Sequence, residues 1–141
     1  MEKFSLFDRY RLELHWDKAI YNRDGVCDLT NATFKGPALA EALKLNDEDH
    51  ILVDFFSQYI KLVKSVYVAE LKWKGVRYNP DGSISLLTAT ISHDKELNKV
   101  PKLNDDDYLV IDTSGHDIEN HPYNLVYKTY VVNRDTNLYK F

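Results

Sequence analysis

Reactive side chains gather most densely between Asp112 and His121, in the stretch Asp112-Thr113-Ser114-Gly115-His116-Asp117-Ile118-Glu119-Asn120-His121. Two imidazoles and three carboxylates are the donor types a divalent metal takes. Loops between strands are where such groups tend to act. Their spacing matches no established ligand pattern, so no metal is assigned and an ordinary polar loop closed by His121-Pro122 accounts for the composition. His93-Asp94 and His116-Asp117 repeat a dipeptide that metal-dependent phosphohydrolases carry on helices, but here both fall after expected strands. Metal-dependent hydrolysis through His116, Asp117 and His121 would require the three side chains to converge.

Other chemistry is weaker. Cys27 is the only cysteine; His15 or His50 would have to serve as its base. Asp24 and Asp28 flank it and disfavour the thiolate, so a packed thiol is the expectation. Ser57, Ser65, Ser83, Ser85, Ser92 and Ser114 lack the flanking glycines of a nucleophile elbow. The five glycines stand apart at 25, 36, 75, 82 and 115, which rules out a phosphate-cradling loop or dinucleotide fingerprint. Asn22-Arg23-Asp24-Gly25 reads as a turn, because the alternating acids and closing Glu of a calcium loop are missing. No catalytic residue and no cofactor is assigned. Two acidic clusters, 47–49 and 105–107, could face a basic partner. Helix capping explains the first, and a solvated loop is the expectation for the second.

The elements that would position these groups follow from periodicity. Tyr10, Leu12, Leu14 and Trp16 alternate with Arg9, Arg11, Glu13 and His15, which predicts a strand with one wet face. Residues 21–36 carry turn chemistry. Pro37 and the run Ala38–Leu45 predict a short helix. Asn46 then caps a long one, with Asp47, Glu48 and Asp49 in its first turn and Leu52, Phe55, Phe56, Tyr59, Ile60 and Val63 on one face.

From Val66 the period is two again. Pro80-Asp81-Gly82 closes a hairpin of strands near 66–78 and 83–92. Pairing Asn79 with Ser83 sets Trp73 opposite Ala89 and Leu71 opposite Ile91, with Leu87 beside them on one apolar face. Further strands are expected at 108–112, 125–132 and 138–141. The fold class is therefore an α+β domain spanning residues 1–141. Its curved antiparallel sheet has about five to six strands, with one long and one short helix inserted after the first.

Composition bounds the function. Of 141 residues, 44% are hydrophobic and 28% charged, enough for one core without disulfides or structural metal. The formal net charge of −4 argues against phosphate-driven nucleic-acid binding. No apolar run reaches the roughly 20 residues of a membrane span. No export signal is legible at Met1-Glu2-Lys3, so the glycosylation triplet Asn31-Ala32-Thr33 carries no weight and a cytoplasmic location is expected. Ten tyrosines suit strands or interfaces.

The expectation is a non-enzymatic accessory domain that binds another protein or a second copy of itself. Inhibitors, immunity proteins and counter-defence proteins of phages or mobile elements are of this type. The candidate contact residues are Arg9, Arg11 and His15 on the first strand, with His116, Asp117 and His121 in the later loop. The alternative is a small-ligand or hydrolase pocket between the long helix and the sheet, lined by Phe55, Phe56, Tyr59, Leu71 and Trp73.

Overall fold

A computed structural model describes residues 11–36, 45, 47, 49–55, 69–93, 102–112 and 126–140. Every regular element among them is a strand. In chain order these are β1 (Arg11–His15), β2 (Ala19–Tyr21), β3 (Cys27–Leu29), β4 (Ala32–Lys35), β5 (Asp49–Phe55) and β6 (Ala69–Trp73). They continue with β7 (Gly75–Tyr78), β8 (Ile84–Leu87), β9 (Ala89–His93), β10 (Asp107–Asp112), β11 (Val126–Asn133) and β12 (Tyr139–Lys140).

The expected α+β class is thereby corrected to a mostly antiparallel β fold. Where the long helix was expected to begin, Asp49–Phe55 runs as β5 between β6 and β11. The physical reason lies in a second period hidden in the same residues. Ile51 and Val53 are buried while His50 and Leu52 are only half-buried, an alternation of two rich in β-branched side chains. Pairing partners on both sides favour that period over the helical one. The rest of the expected long helix, and the short one over 38–44, lie outside the described residues.

Two further strands lie where only turns were expected. Turn residues dominate 21–36, yet Cys27 and Leu29, then Ala32 and Phe34, point inward and are buried. These short alternations form β3 and β4. The hairpin register was legible: Asn79 N–H donates to Ser83 O, and Leu71 pairs with Ile91.

Three pairs of strands are really three long strands, each bent at one place. A single register runs through β6 and β7 against β9 and β8, from Ala69↔His93 to Tyr78↔Ile84. Another runs through β3 and β4 against the same strand, from Cys27↔Ile91 to Phe34↔Ile84. The bends fall on one line, at Thr30-Asn31, Leu87-Thr88 and Lys74. Asn31 and Thr88 lie there in the left-handed region, with φ of 51° and 54°. Thr88 is β-branched, so its conformation is costly and is held by the pairing on both sides.

Crossing the line shifts the in–out alternation by one residue. Ile84 and Leu86 face the core before it, Ala89 and Ile91 after it. Leu87, expected on the apolar face, is instead 46% exposed and lies over Gly75.

Because β8 and β9 are one bent strand, the pairings among the described residues close on themselves. Going round, β1 meets β10, then β11, β5, β6, the β9–β8 strand and β4, which returns to β1. Among the described strands only β5 and β11 run parallel. One core fills this circuit, with Trp16, Phe34, Trp73, Leu14, Leu71 and Leu109 among its largest side chains. Phe34 and Trp73 meet edge to face. Of the residues expected to line a helix–sheet pocket, Leu71 and Trp73 are core side chains of this circuit, and Phe56 and Tyr59 lie outside the described residues.

The run Asp105-Asp106-Asp107, expected as a solvated loop, is a joint. Asp105 Oδ1 accepts Ala19 N–H, Asp106 Oδ2 accepts Asn133 Nδ2, and Asp107 Oδ2 accepts Asn104 N–H. Arg134 donates to the carbonyls of Asp105 and Trp16. The joint ties the end of β1, the start of β10 and the β11–β12 turn. Trp16 adds to it by donating its indole N–H to Asn104 O at 2.9 Å.

Gly36 ends β4 at φ 119°, where an added Cβ would sit 2.7 Å from the Arg11 carbonyl oxygen. Gly82 has φ 92° but open space around it. Gly82→Ala should therefore lose about 1 kcal/mol through backbone strain alone, and Gly36→Ala at least about 1 kcal/mol more through the backbone collision. Urea unfolding of the two variants checks the order; equal losses would refute it.

Candidate functional site

The outward side of β1 carries Arg11, Glu13 and His15, as its alternation predicts, but this face is only half wet. Arg11 Nε lies 2.8 Å from one Glu13 oxygen and His15 Nε2 lies 2.8 Å from the other. An ionised carboxylate can only accept, so the imidazole nitrogen is the donor. The His15 ring stacks flat on Tyr108 of β10, 4.6 Å between centroids and 8° from parallel. The hydrogen bond from His15 is the main cause that holds the Glu13 carboxyl below its ordinary value.

Pairing extends this face sideways. His15 stands opposite Thr33 on β4, Thr33 opposite Ser85 on β8, and Ser85 opposite Arg77 on β7. A row of four polar side chains thus crosses four strands at roughly 4.8 Å per strand. At its far end the row enters a half-open groove of about 550 Å³ built on the bend line. Asp28, Thr30, Asn31, Thr33, Arg77 and Ser85 give it polar walls, with Leu87 and Thr88 beside them.

Several of these polar groups are already oriented. Thr30 Oγ1 accepts Lys18 N–H, and Asn31 Nδ2 donates to Asp17 Oδ2 at 2.6 Å. Ser85 Oγ accepts from Asn79 Nδ2 at 3.0 Å, which leaves its own proton to donate. The arrangement suits hydrogen bonding and ion pairing with an outside group. His15 and Ser85 are separated by Thr33, so His15 does not activate Ser85.

Cys27 is buried beside Tyr21, and burial first of all pushes its thiol up to about 11. The thiol is packed, as expected, with burial rather than the charge of Asp28 as the first cause of its inertness. No group of three or more metal-ligand side chains occurs among the described residues.

No family model, no curated protein and no solved structure matches this chain.

Of the contact residues expected from sequence, Arg11 and His15 share the outward face of β1. Arg9, His116, Asp117 and His121 lie outside the described residues. Thr33, Ser85, Arg77 and Asp28 escaped the sequence reading. The hairpin register alone sets Arg77 opposite Ser85, but nothing local says that β4 lies on the other side of β8. Among the described residues no helix is long and apolar enough to cross a membrane.

Glu13 makes stability depend on pH with a definite sign. Its folded carboxyl titrates below the ordinary value of 4.5, so its contribution is complete above that value and fades as pH falls through the folded one. Glu13→Gln should be less stable than the wild type at pH 7, and the gap should narrow below pH 4.5. A gap that stays constant down to pH 2.5 in denaturant titrations would contradict this account. Cys27 should react with a thiol reagent at least about 100-fold more slowly in the native state than in urea, a contrast that absorbance-monitored labelling reads directly.

Proposed function

We propose that this chain is a non-enzymatic binding domain that holds a segment of another protein in the groove across the strand bend. The observation that carries the reading is the groove itself. Its volume of about 550 Å³ would take several side chains, and it is half open, which suits an extended segment better than an enclosed molecule. The groove floor rests on backbone fixed by two left-handed residues and by pairing on both sides, so little ordering is needed on binding. Exposed Leu87 supplies an apolar contact within a polar rim, the anatomy of a small protein interface.

The same groove favours a second reading, a small polar ligand, because its volume lies within the usual ligand range. Native mass spectrometry after co-purification from the protein's own cells separates the two. A stoichiometric protein partner is expected with the wild type and with the distant control Asp135→Arg. Ser85→Arg and Leu87→Arg, which push a long side chain into the groove, should each lower its yield about ten-fold. A partner retained by both variants, or a monomer carrying only a small molecule, would sink the protein-binding reading.

A further inference from the structure

The groove has two charges on opposite walls. Arg77 stands on β7 and Asp28 on β3, both exposed. Among the described residues neither side chain makes a hydrogen bond or an ion pair, and they do not pair with each other. Elsewhere on the surface some charges are matched: Glu13 binds Arg11 and His15, and Glu70 binds Lys72 and His50. On a chain of formal net charge −4, an open guanidinium facing an open carboxylate across one cleft makes a polarised site.

Register sets the distance between them. Arg77 lies level with Thr33, two strands across, and Asp28 lies five residues from Thr33 along the bent strand. Two strand spacings of roughly 4.8 Å and a run of at most roughly 16 Å leave their backbone positions roughly 10–19 Å apart. An extended segment advances roughly 3.3 Å per residue, so charges three to five residues apart on it would meet both walls. Between them Thr30, Thr33 and Ser85 offer hydroxyls to its backbone.

We infer that the groove takes an extended segment of mixed charge, its acidic side chain received by Arg77 and its basic side chain, about four residues away, by Asp28. The guanidinium fork holds a carboxylate through two parallel hydrogen bonds, which fixes which end of the segment lies where. This rests on the function proposed above and names the chemistry of the partner.

The test uses acetylated, amidated heptapeptides of Gly and Ser. One carries Glu at its second position and Lys at its sixth, one carries Glu alone, one Lys alone and one neither. They are titrated into the full-length protein while the Arg77 side-chain Nε–H and the backbone amides of 28–33 and 85–89 are followed by NMR. The Glu–Lys peptide should give saturable shifts at both walls. Each charge should strengthen binding about three- to five-fold, and Arg77→Gln or Asp28→Asn should remove that gain for its own charge only.

Equal binding of the uncharged peptide, indifference to both substitutions, or no saturable shift overturns the inference. In the co-purification experiment the two ideas fail differently. A partner lost with Ser85→Arg yet kept by both Arg77→Gln and Asp28→Asn removes the charge assignment and leaves the groove. A partner kept by Ser85→Arg and Leu87→Arg removes the groove and this inference with it.

Discussion

The long strand 84–93 pairs on one side at 84–87 and 90–93 and on the other at 84–86 and 89–91, and its bend at Thr88 is the constraint from which the rest of the structure follows. On one side it carries 69–78 and on the other 27–35, each in a single register. A strand that stayed straight could serve one flat sheet only. Bent, it passes from β6 to β4 and lets the pairings return to their start. The left-handed conformation of a β-branched residue costs free energy, and two flanking ladders are what can hold it. Asn31, which tolerates that conformation better, takes the matching place on the neighbouring strand.

Closure has two consequences for stability. Most strands gain partners on both sides, so few backbone groups are left at an edge. The inward side chains of all the strands in the circuit also meet in one core, where Trp16, Phe34 and Trp73 supply the largest apolar areas. Polar side chains finish what the ladders leave open. The Asp105–Asp107 run shows this best, since Asp105 accepts from Ala19 and Asp106 from Asn133, two distant segments, while Asp107 closes its own loop at Asn104. Carboxylates that accept backbone and amide protons in this way are fixed in place and are poorly suited to greeting a basic partner.

The candidate site is a by-product of the same bend. Shifting the alternation by one residue turns Leu87 outward and opens a cleft among Thr30, Asn31, Thr33 and Ser85. The cleft then lies in register with the Arg11–Glu13–His15 array, so one polar face runs from the β1–β10 contact to Arg77. Its two ends differ in kind. Around Glu13 every charge is matched and the His15 ring is clamped on Tyr108. At Arg77 and Asp28 the charges remain open to an incoming group.

Much was determined by the sequence alone. Alternation through Leu12, Leu14 and Trp16 marks β1 and its outward residues, and Pro80-Asp81-Gly82 pins the hairpin register, because side-chain period and turn chemistry are local properties. Two things were decided only by the tertiary structure. Asp49–Phe55 can satisfy either a helical or a strand period, and the neighbours β6 and β11 select the strand by offering backbone partners on both sides. The bend, with the groove and the facing Asp28 and Arg77, needs β4 and β8 to meet. Their contact joins residues about fifty positions apart along the chain, and no local pattern encodes which strand lies beside which.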